Sequence, residues 1–283
     1  MKIIQCLVIA SAISSDTVLA VNILSVEAAE KKGLVRLVIQ GKGGHTGKVI
    51  EMKIHNVSGT TLNLKLEAGR KLDSKNNSEQ DILVTKPESF ILAAGQKSSY
   101  NVYGMCCQAH NSSPGEKSFY SIGKMGDSTI VKLAEFIHKN KYYDDHGAQQ
   151  AVWTISDNNS LASIQGSDEK SSKHLQKYVS DITGRPIPAY DVYYKQQDEK
   201  SVLGRVSKIN GNFAYSLPRD LKITAAIYNS EGKMVQLIMS RHSHDRGDYQ
   251  LFYTFNAANL PAGTYYARVS NEDTLIKEER IDF

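Results

Sequence analysis

The chain has 283 residues, a formal net charge of +4, 41% hydrophobic residues and 23% charged ones. That length suits two domains of ordinary size, each with its own core, and the composition is globular rather than disordered or membrane-embedded. Acidic and basic residues are interspersed throughout, which argues against a nucleic-acid partner.

Met1-Lys2 supplies a positive start, and Ile3–Ile13 is an apolar run too short to span a bilayer. Val18-Leu19-Ala20 offers compact residues at a signal-peptidase site, so residues 1–20 are expected to be a signal peptide cleaved after Ala20. Cys6 sits inside the apolar run rather than at its end, which argues against lipid attachment there. Beyond Ala20 no stretch is long and apolar enough for a transmembrane helix, so the sequence predicts a secreted or cell-surface protein.

Residues 21–165 read as a β-rich first domain. Ile50, Met52 and Ile54 alternate with Glu51, Lys53 and His55, and Leu62, Leu64 and Leu66 repeat the period of two after Ser58-Gly59. This spacing predicts a half-buried antiparallel hairpin. Further short strands are expected at Val35–Ile39, Ile82–Val84, Phe90–Leu92 and Ser99–Tyr103, with a turn at Gly95, and together they suggest a β-sandwich. Within it, Gly41–Lys48 is glycine-rich, but Val49 follows Lys48 where a phosphate-binding loop needs Ser or Thr, so it reads as a turn.

Cleavage after Ala20 leaves Cys106 and Cys107, which are neighbours. A stabilising disulfide closes a long loop between distant positions, and no such partner exists. At least one thiol is therefore free, buried, metal-bound or chemically committed.

The period then changes. Ile130, Leu133, Ala134 and Ile137 form one helical stripe, with Ser128 as the expected N-cap. Ala148, Ala151, Val152 and Ile155 form a second, on which Gln149 and Trp153, the sole tryptophan, share a neighbouring face. Residues 166–200 are charged, with one helix expected around Lys170–Asp181 and extended backbone at Pro186 and Pro188, and read as an interdomain linker. Residues 201–283 alternate again, with about seven strands expected, including Phe213–Leu217 and Tyr249–Phe255. His242, His244 and Asp245 fall at a hairpin tip that reads as solvated, and Arg246–Asp248 is a tripeptide common by chance. The fold class expected is mostly β: a sandwich with a two-helix insertion, then a small immunoglobulin-like antiparallel sandwich.

Two resemblances follow. The stretch Ile227–Val235, then Tyr253–Val269 with "LPAGTYY", then a final strand, resembles the immunoglobulin-like C-terminal sorting domain of the type nine secretion system of Bacteroidota, and a similar module of flagellar hook-capping proteins. It implies a sorting role for Val202–Phe283, although the chain ends in "ERIDF" where many such domains are lysine-rich. In the first domain, "CCQAHNSSPGEKSFYSIG", a helix and then "AQQAVW" are similar to thioester domains of bacterial surface adhesins. The resemblance places Gln149, Ala151, Val152 and Trp153 on the motif threonine-glutamine-x-alanine-aliphatic-tryptophan, with Ala148 standing in for threonine. The cysteine it implies is Cys107, if His110 three positions on is the partner, or else Cys106.

The chemistry gives those residue types a reason. A thiol that displaces ammonia from a glutamine amide leaves an internal thioester, an acyl group open to a partner's amine or hydroxyl. Holding thiol and amide together needs rigid elements. His110 would carry protons, as an imidazole does near neutral pH, and Trp153 would shield the bond. Other readings stand beside this one: Trp153 as core, Gln149 as a solvated helix residue, and Met105, Cys106, Cys107 and His110 as soft metal donors lacking the C-x-x-C spacing of a zinc site. No cofactor is called for. The sequence as a whole predicts an adhesion or binding protein rather than a turnover enzyme, with an extracellular protein or glycan ligand and, through its C-terminal domain, the secretion machinery as partners.

Overall fold

A computed structural model describes residues 23–195 and 205–283. The expected signal peptide and Cys6 lie outside the described residues. The chain is mostly β. Its first unit comprises β1 (Ile23–Ser25), α1 (Val26–Lys31), β2 (Val35–Gly41), β3 (Ile50–Asn56), β4 (Leu62–Leu66), β5 (Arg70–Ser74), β6 (Ile82–Val84), β7 (Glu88–Leu92), β8 (Lys97–Val102), β9 (Gly104–Cys106) and β10 (Phe119–Met125). Strands β1-β4-β7 make a three-stranded sheet, and β8-β3-β2-β10-β5-β6-β9 a seven-stranded one. Ile39, Ile50, Met52 and Ile54 of the larger sheet meet Leu64, Leu66, Phe90 and Leu92 of the smaller in one buried core.

The expected hairpin of β3 with β4 does not form. Both edges of β3 are taken, by β2 and by β8, so β4 crosses to the other sheet and pairs with β1 and β7. A period of two is the same for hairpin partners and for strands facing across a sandwich, and here the two apolar rows face one another. Asn56 pins the crossover from a fully buried position. Its amide nitrogen reaches the carbonyls of Thr60, Leu92 and Ala93, while its oxygen accepts from the Ser58 N–H and hydroxyl.

Three helices follow: α2 (Ser128–Asn140), α3 (His146–Ser156) and α4 (Glu169–Thr183). The N-cap of α2 is Asp127, one residue before the expected Ser128, and its carboxylate accepts from Thr129 and Ile130. Ile130, Leu133 and Ile137 of α2, Ala148 and Val152 of α3, and Leu175 and Val179 of α4 close a second core of the first unit.

The stretch read as a linker is thus folded where it is described. A capping box of Asp168 and Ser171 starts α4, and Gly184 at φ 71° ends it. Its charges pair along the solvent face, Glu169 with Lys173 and Lys177 with Asp181, which hides a sparse apolar stripe from a composition-based reading.

The second unit begins before residue 201, at β11 (Tyr190–Lys195), and continues through β12 (Arg205–Leu217), β13 (Leu221–Asn229), β14 (Met234–His244), β15 (Gly247–Asn256), β16 (Thr264–Asn271) and β17 (Thr274–Asp282). Sheets β11-β12-β15 and β14-β13-β16-β17 enclose Phe213, Ile223, Ile227, Phe255, Val269 and Ile281. Tyr190 ties the first strand to the last: its hydroxyl donates to the Asp282 carbonyl at 3.2 Å and accepts the Asp282 N–H at 3.0 Å. Among the described residues no helix is long and apolar enough to cross a membrane.

Candidate functional site

Strand β9 is an edge strand. It pairs with β6 on one side, Ile82 opposite Cys106 and Leu83 opposite Met105, so the Cys106 N–H and C=O turn to the other side. There they meet Gln149, near the start of α3. The Gln149 Oε1 accepts the Cys106 N–H at 2.9 Å, and its Nε2 donates to the Cys106 carbonyl at 2.8 Å. Both residues are 0% exposed. Gln149 therefore does for one residue what a paired strand would do, and its amide carbon is held against the main chain of Cys106.

The glycine-rich segment Gly41–Lys48 runs along the same edge. The Gly47 carbonyl accepts the Gly104 N–H at 2.9 Å, and the His45 carbonyl shares the Cys106 N–H at 3.3 Å. Gly47 has φ 81°, a left-handed backbone that glycine adopts without the strain a side chain would bring.

Alternation along the strand sends the neighbouring side chains apart. Cys106 joins the sandwich core with Trp153 and Tyr120, whereas Met105 and Cys107 join the helical core. Both cysteines are free and buried. Burial pushes the Cys106 thiol well up, with Cys107 adding to it, and burial pushes Cys107 up to about 12. Neither is a thiolate at neutral pH.

Two expectations change with this geometry. The glutamine hydrogen-bonds the main chain of Cys106, the alternative to the Cys107 that spacing to His110 favours, and both bonds are to main-chain atoms rather than to a thiol. His110 itself is exposed, beyond a turn in which Gln108 takes φ 48°. The soft-donor set of Met105, Cys106, Cys107 and His110 does not converge, and among the described residues no three His, Cys, Asp or Glu side chains gather as a metal site. Gln149 is buried rather than solvated. Trp153 is fully buried, and its indole N–H donates to Gln80 Oε1 at 3.2 Å.

The histidines at this edge are others. His45 Nδ1 lies 3.4 Å from the Ser113 hydroxyl, and burial, with the nearby His146 charge, lowers its pKa. His146 Nε2 lies 3.2 Å from Gln150 Nε2. Neither is adjacent to the cysteines in sequence, and the glycine pattern around His45 was the one signal pointing to that segment. At the far hairpin tip His244 stacks on Tyr249 with ring centroids 4.5 Å apart, and its Nδ1 lies 3.0 Å from the Tyr215 hydroxyl.

No family model matches the chain, and no curated protein matches it. Among solved structures, a red sea bream transglutaminase is similar over 90% of this chain and 33% of that protein, with 10% identity and a TM-score of 0.20. The chain thus spans about a third of that protein's length, and a likeness this low bears on neither the fold nor the chemistry.

Proposed function

We propose that the chain is an exported surface or secreted adhesion protein rather than a turnover enzyme, whose first unit holds an extracellular protein or glycan through an acyl group formed between Cys106 and Gln149. The observation that carries this reading is the paired hydrogen bonding of the Gln149 amide to the main chain of Cys106. It brings together the two residue types a thioester needs, on a rigid helix and a sheet edge, in a core that includes Trp153. Intact mass spectrometry tests it. A thioester lowers the chain mass by about seventeen daltons, and opening by methylamine then adds about thirty-one.

A second reading has its own support. Both amide atoms of Gln149 already have good partners, so the same contact serves as a strand-edge cap in a non-covalent binding domain. A mass equal to that of the sequence, unchanged by methylamine, selects this reading.

For the second unit we propose delivery through the secretion machinery, on the strength of its "LPAGTYY" resemblance and its two sheets of seven strands. Because β11 belongs to one of those sheets, removal must begin near Pro186 rather than at Val202. Surface delivery that survives removal of residues 186–283 rules the sorting role out.

A further inference from the structure

Phe252 on β15 is 70% exposed. A single exposed apolar side chain is ordinary, but this ring stands on a polar sheet face beside a groove. Ile209 and Phe213 of β12 and Leu251, Tyr253 and Phe255 of β15 belong to the core, so alternation turns Asn210, Asn212, Phe252 and Thr254 outward. On β11, the core residues Tyr190 and Val192 likewise leave Asp191 outside. The register sets Asn212 opposite Phe252, Asn210 opposite Thr254 and Asp191 opposite Asn210. With Lys173 and Lys177 of α4 these residues border an open groove of about 770 Å³, a volume within the range of small-ligand sites.

The polar groups around the ring are fixed in place and only partly used. The Thr254 hydroxyl donates to Asn210 Oδ1 at 3.1 Å, and Gln250 Nε2 donates to Asn212 Oδ1 at 2.9 Å. Both amide oxygens are engaged, while neither amide NH2 group has a partner among the described residues. Asp191 Oδ1 accepts from Gln165 Nε2 at 2.9 Å, which leaves Oδ2 to accept from a ligand. The two lysines are balanced within their own helix, Lys173 by Glu169 and Lys177 by Asp181, so an anionic ligand finds no surplus positive charge. Nor is the groove arranged for an extended peptide, which would pair with a sheet edge. The open edge of β15 is taken by Gln236, whose Nε2 donates to the Thr254 carbonyl at 2.7 Å and whose Oε1 accepts the Asn256 N–H at 2.9 Å.

We propose that this groove binds a neutral oligosaccharide, with one pyranose ring stacked on Phe252 and its hydroxyls met by Asn210, Asn212 and Asp191. The chemistry matches on both counts. The face of the Phe252 ring is electron-rich and attracts the C–H groups on the flat side of a sugar. Free amide N–H groups donate to sugar oxygens, and a carboxylate oxygen accepts from a sugar hydroxyl. The site lies on the second unit and involves no acyl chemistry, so it stands or falls apart from the thioester reading.

Saturation-transfer NMR of the full chain with cellotriose, chitotriose and galactotriose tests this, with a neutral proline-rich decapeptide as the competing probe. The expected result is transfer to the ring protons of one or more of the sugars, with a Kd in the millimolar range. Phe252→Ala should weaken that binding about tenfold, and Asn212→Ala about fivefold. Unfolding midpoints of both variants should stay at the parent value, because both side chains lie outside the core. Transfer to the peptide alone, or to no probe, overturns the inference. A Phe252→Ala variant that binds a sugar as tightly as the parent overturns it equally.

Discussion

The indole N–H of Trp153 donates to the side-chain oxygen of Gln80, and both residues are completely buried. Gln80 in turn donates to the Asn111 carbonyl at 3.0 Å, so one chain of bonds joins α3, the approach to β6 and the loop after the cysteines. Trp153→Phe should cost more than its lost area, because the Gln80 oxygen is left without a donor, at about 1–3 kcal/mol for the orphaned group alone. Denaturant unfolding followed by circular dichroism measures this. A variant as stable as the parent would show that the bond contributes nothing.

The pairing of Gln149 with Cys106 can be weighed apart from any acyl chemistry by working in a Cys106→Ala background, which keeps the main-chain groups. Adding Gln149→Ala there strips the Cys106 carbonyl of its donor and leaves its N–H only the longer bond to His45. The expected loss is about 2 kcal/mol, from the unpaired polar group and the emptied volume together. Urea midpoints of the single and double variants give the difference, and equal midpoints would mean that α3 is held by its apolar face alone.

Much of the scaffold was legible in the sequence. Strand β6 falls at Ile82–Val84 as its apolar run implies, and α2 and α3 lie where the stripes beginning at Ile130 and Ala148 place them. Long-range pairing was not legible, because the alternation of Leu62, Leu64 and Leu66 is the same for a hairpin partner as for a facing sheet. Helix α4 was seen as a helix but not as core, since two apolar positions, Leu175 and Val179, carry its docking among many charges. At the site, the motif resemblance pointed to Gln149, Trp153 and a cysteine, and the structure shows Gln149 bonded to the main chain of Cys106 with Trp153 in the same core as that cysteine. Which cysteine it is depends on strand phase, and β9 is too short to show a period. His45 reaches the site through loop topology, its carbonyl meeting the Cys106 N–H, which no local spacing encodes.

Both thiols are buried and held protonated, so neither should react with iodoacetamide in the native chain at pH 8. In denaturant, Cys6 aside, two thiols label if Gln149 is unreacted and one if it is acylated. Because the Cys107 pKa is raised in the folded state, the stabilising effect of burying it neutral is complete below the unfolded value near 9. It is lost as pH climbs from there toward about 12. Native labelling at pH 8 as fast as that of a free thiol contradicts this burial.

Arg70 holds a buried ion pair together. Its guanidinium donates to Glu67 at 2.7 Å, to Glu27 at 2.6 Å and to the Gly123 carbonyl at 2.8 Å, with its side chain 4% exposed. Arg70→Met should destabilise by about 3 kcal/mol, because it leaves the Glu67 carboxylate and the Gly123 carbonyl without this donor and Glu27 with Lys31 alone. The Lys31 hydrogen bond first, and then that of Arg70, holds the Glu27 carboxyl below its usual range. A depressed pKa contributes stability above the unfolded value near 4.5, and that contribution disappears as pH falls through the folded one. Unfolding midpoints between pH 7 and pH 3 should therefore fall more steeply in the parent than in Arg70→Met. Parallel curves would sink the assignment.

Gly147 links the packing of α3 to the placement of Gln149 two residues later. A Cβ there would sit 2.6 Å from both the Cα and the N of Gly166 and 2.9 Å from the Gln165 carbonyl carbon, all main-chain atoms that cannot rotate away. Alanine is the better helix former by about 1 kcal/mol in a helix interior, and by less in the first turn. Overpacking against backbone costs about 1–3 kcal/mol, so the clash outweighs the propensity and α3 must move off residues 165–166. Gln149 rides on that turn, and its two bonds to Cys106 tolerate little displacement, since hydrogen bonds weaken steeply once distance and angle leave their narrow range. Gly147→Ala should thus lower the unfolding midpoint and, if the proposed thioester forms, reduce the fraction of molecules carrying its mass deficit. A midpoint raised by the substitution, as propensity alone would have it, would falsify the tight crossing of α3 over Gly166 on which the position of Gln149 depends.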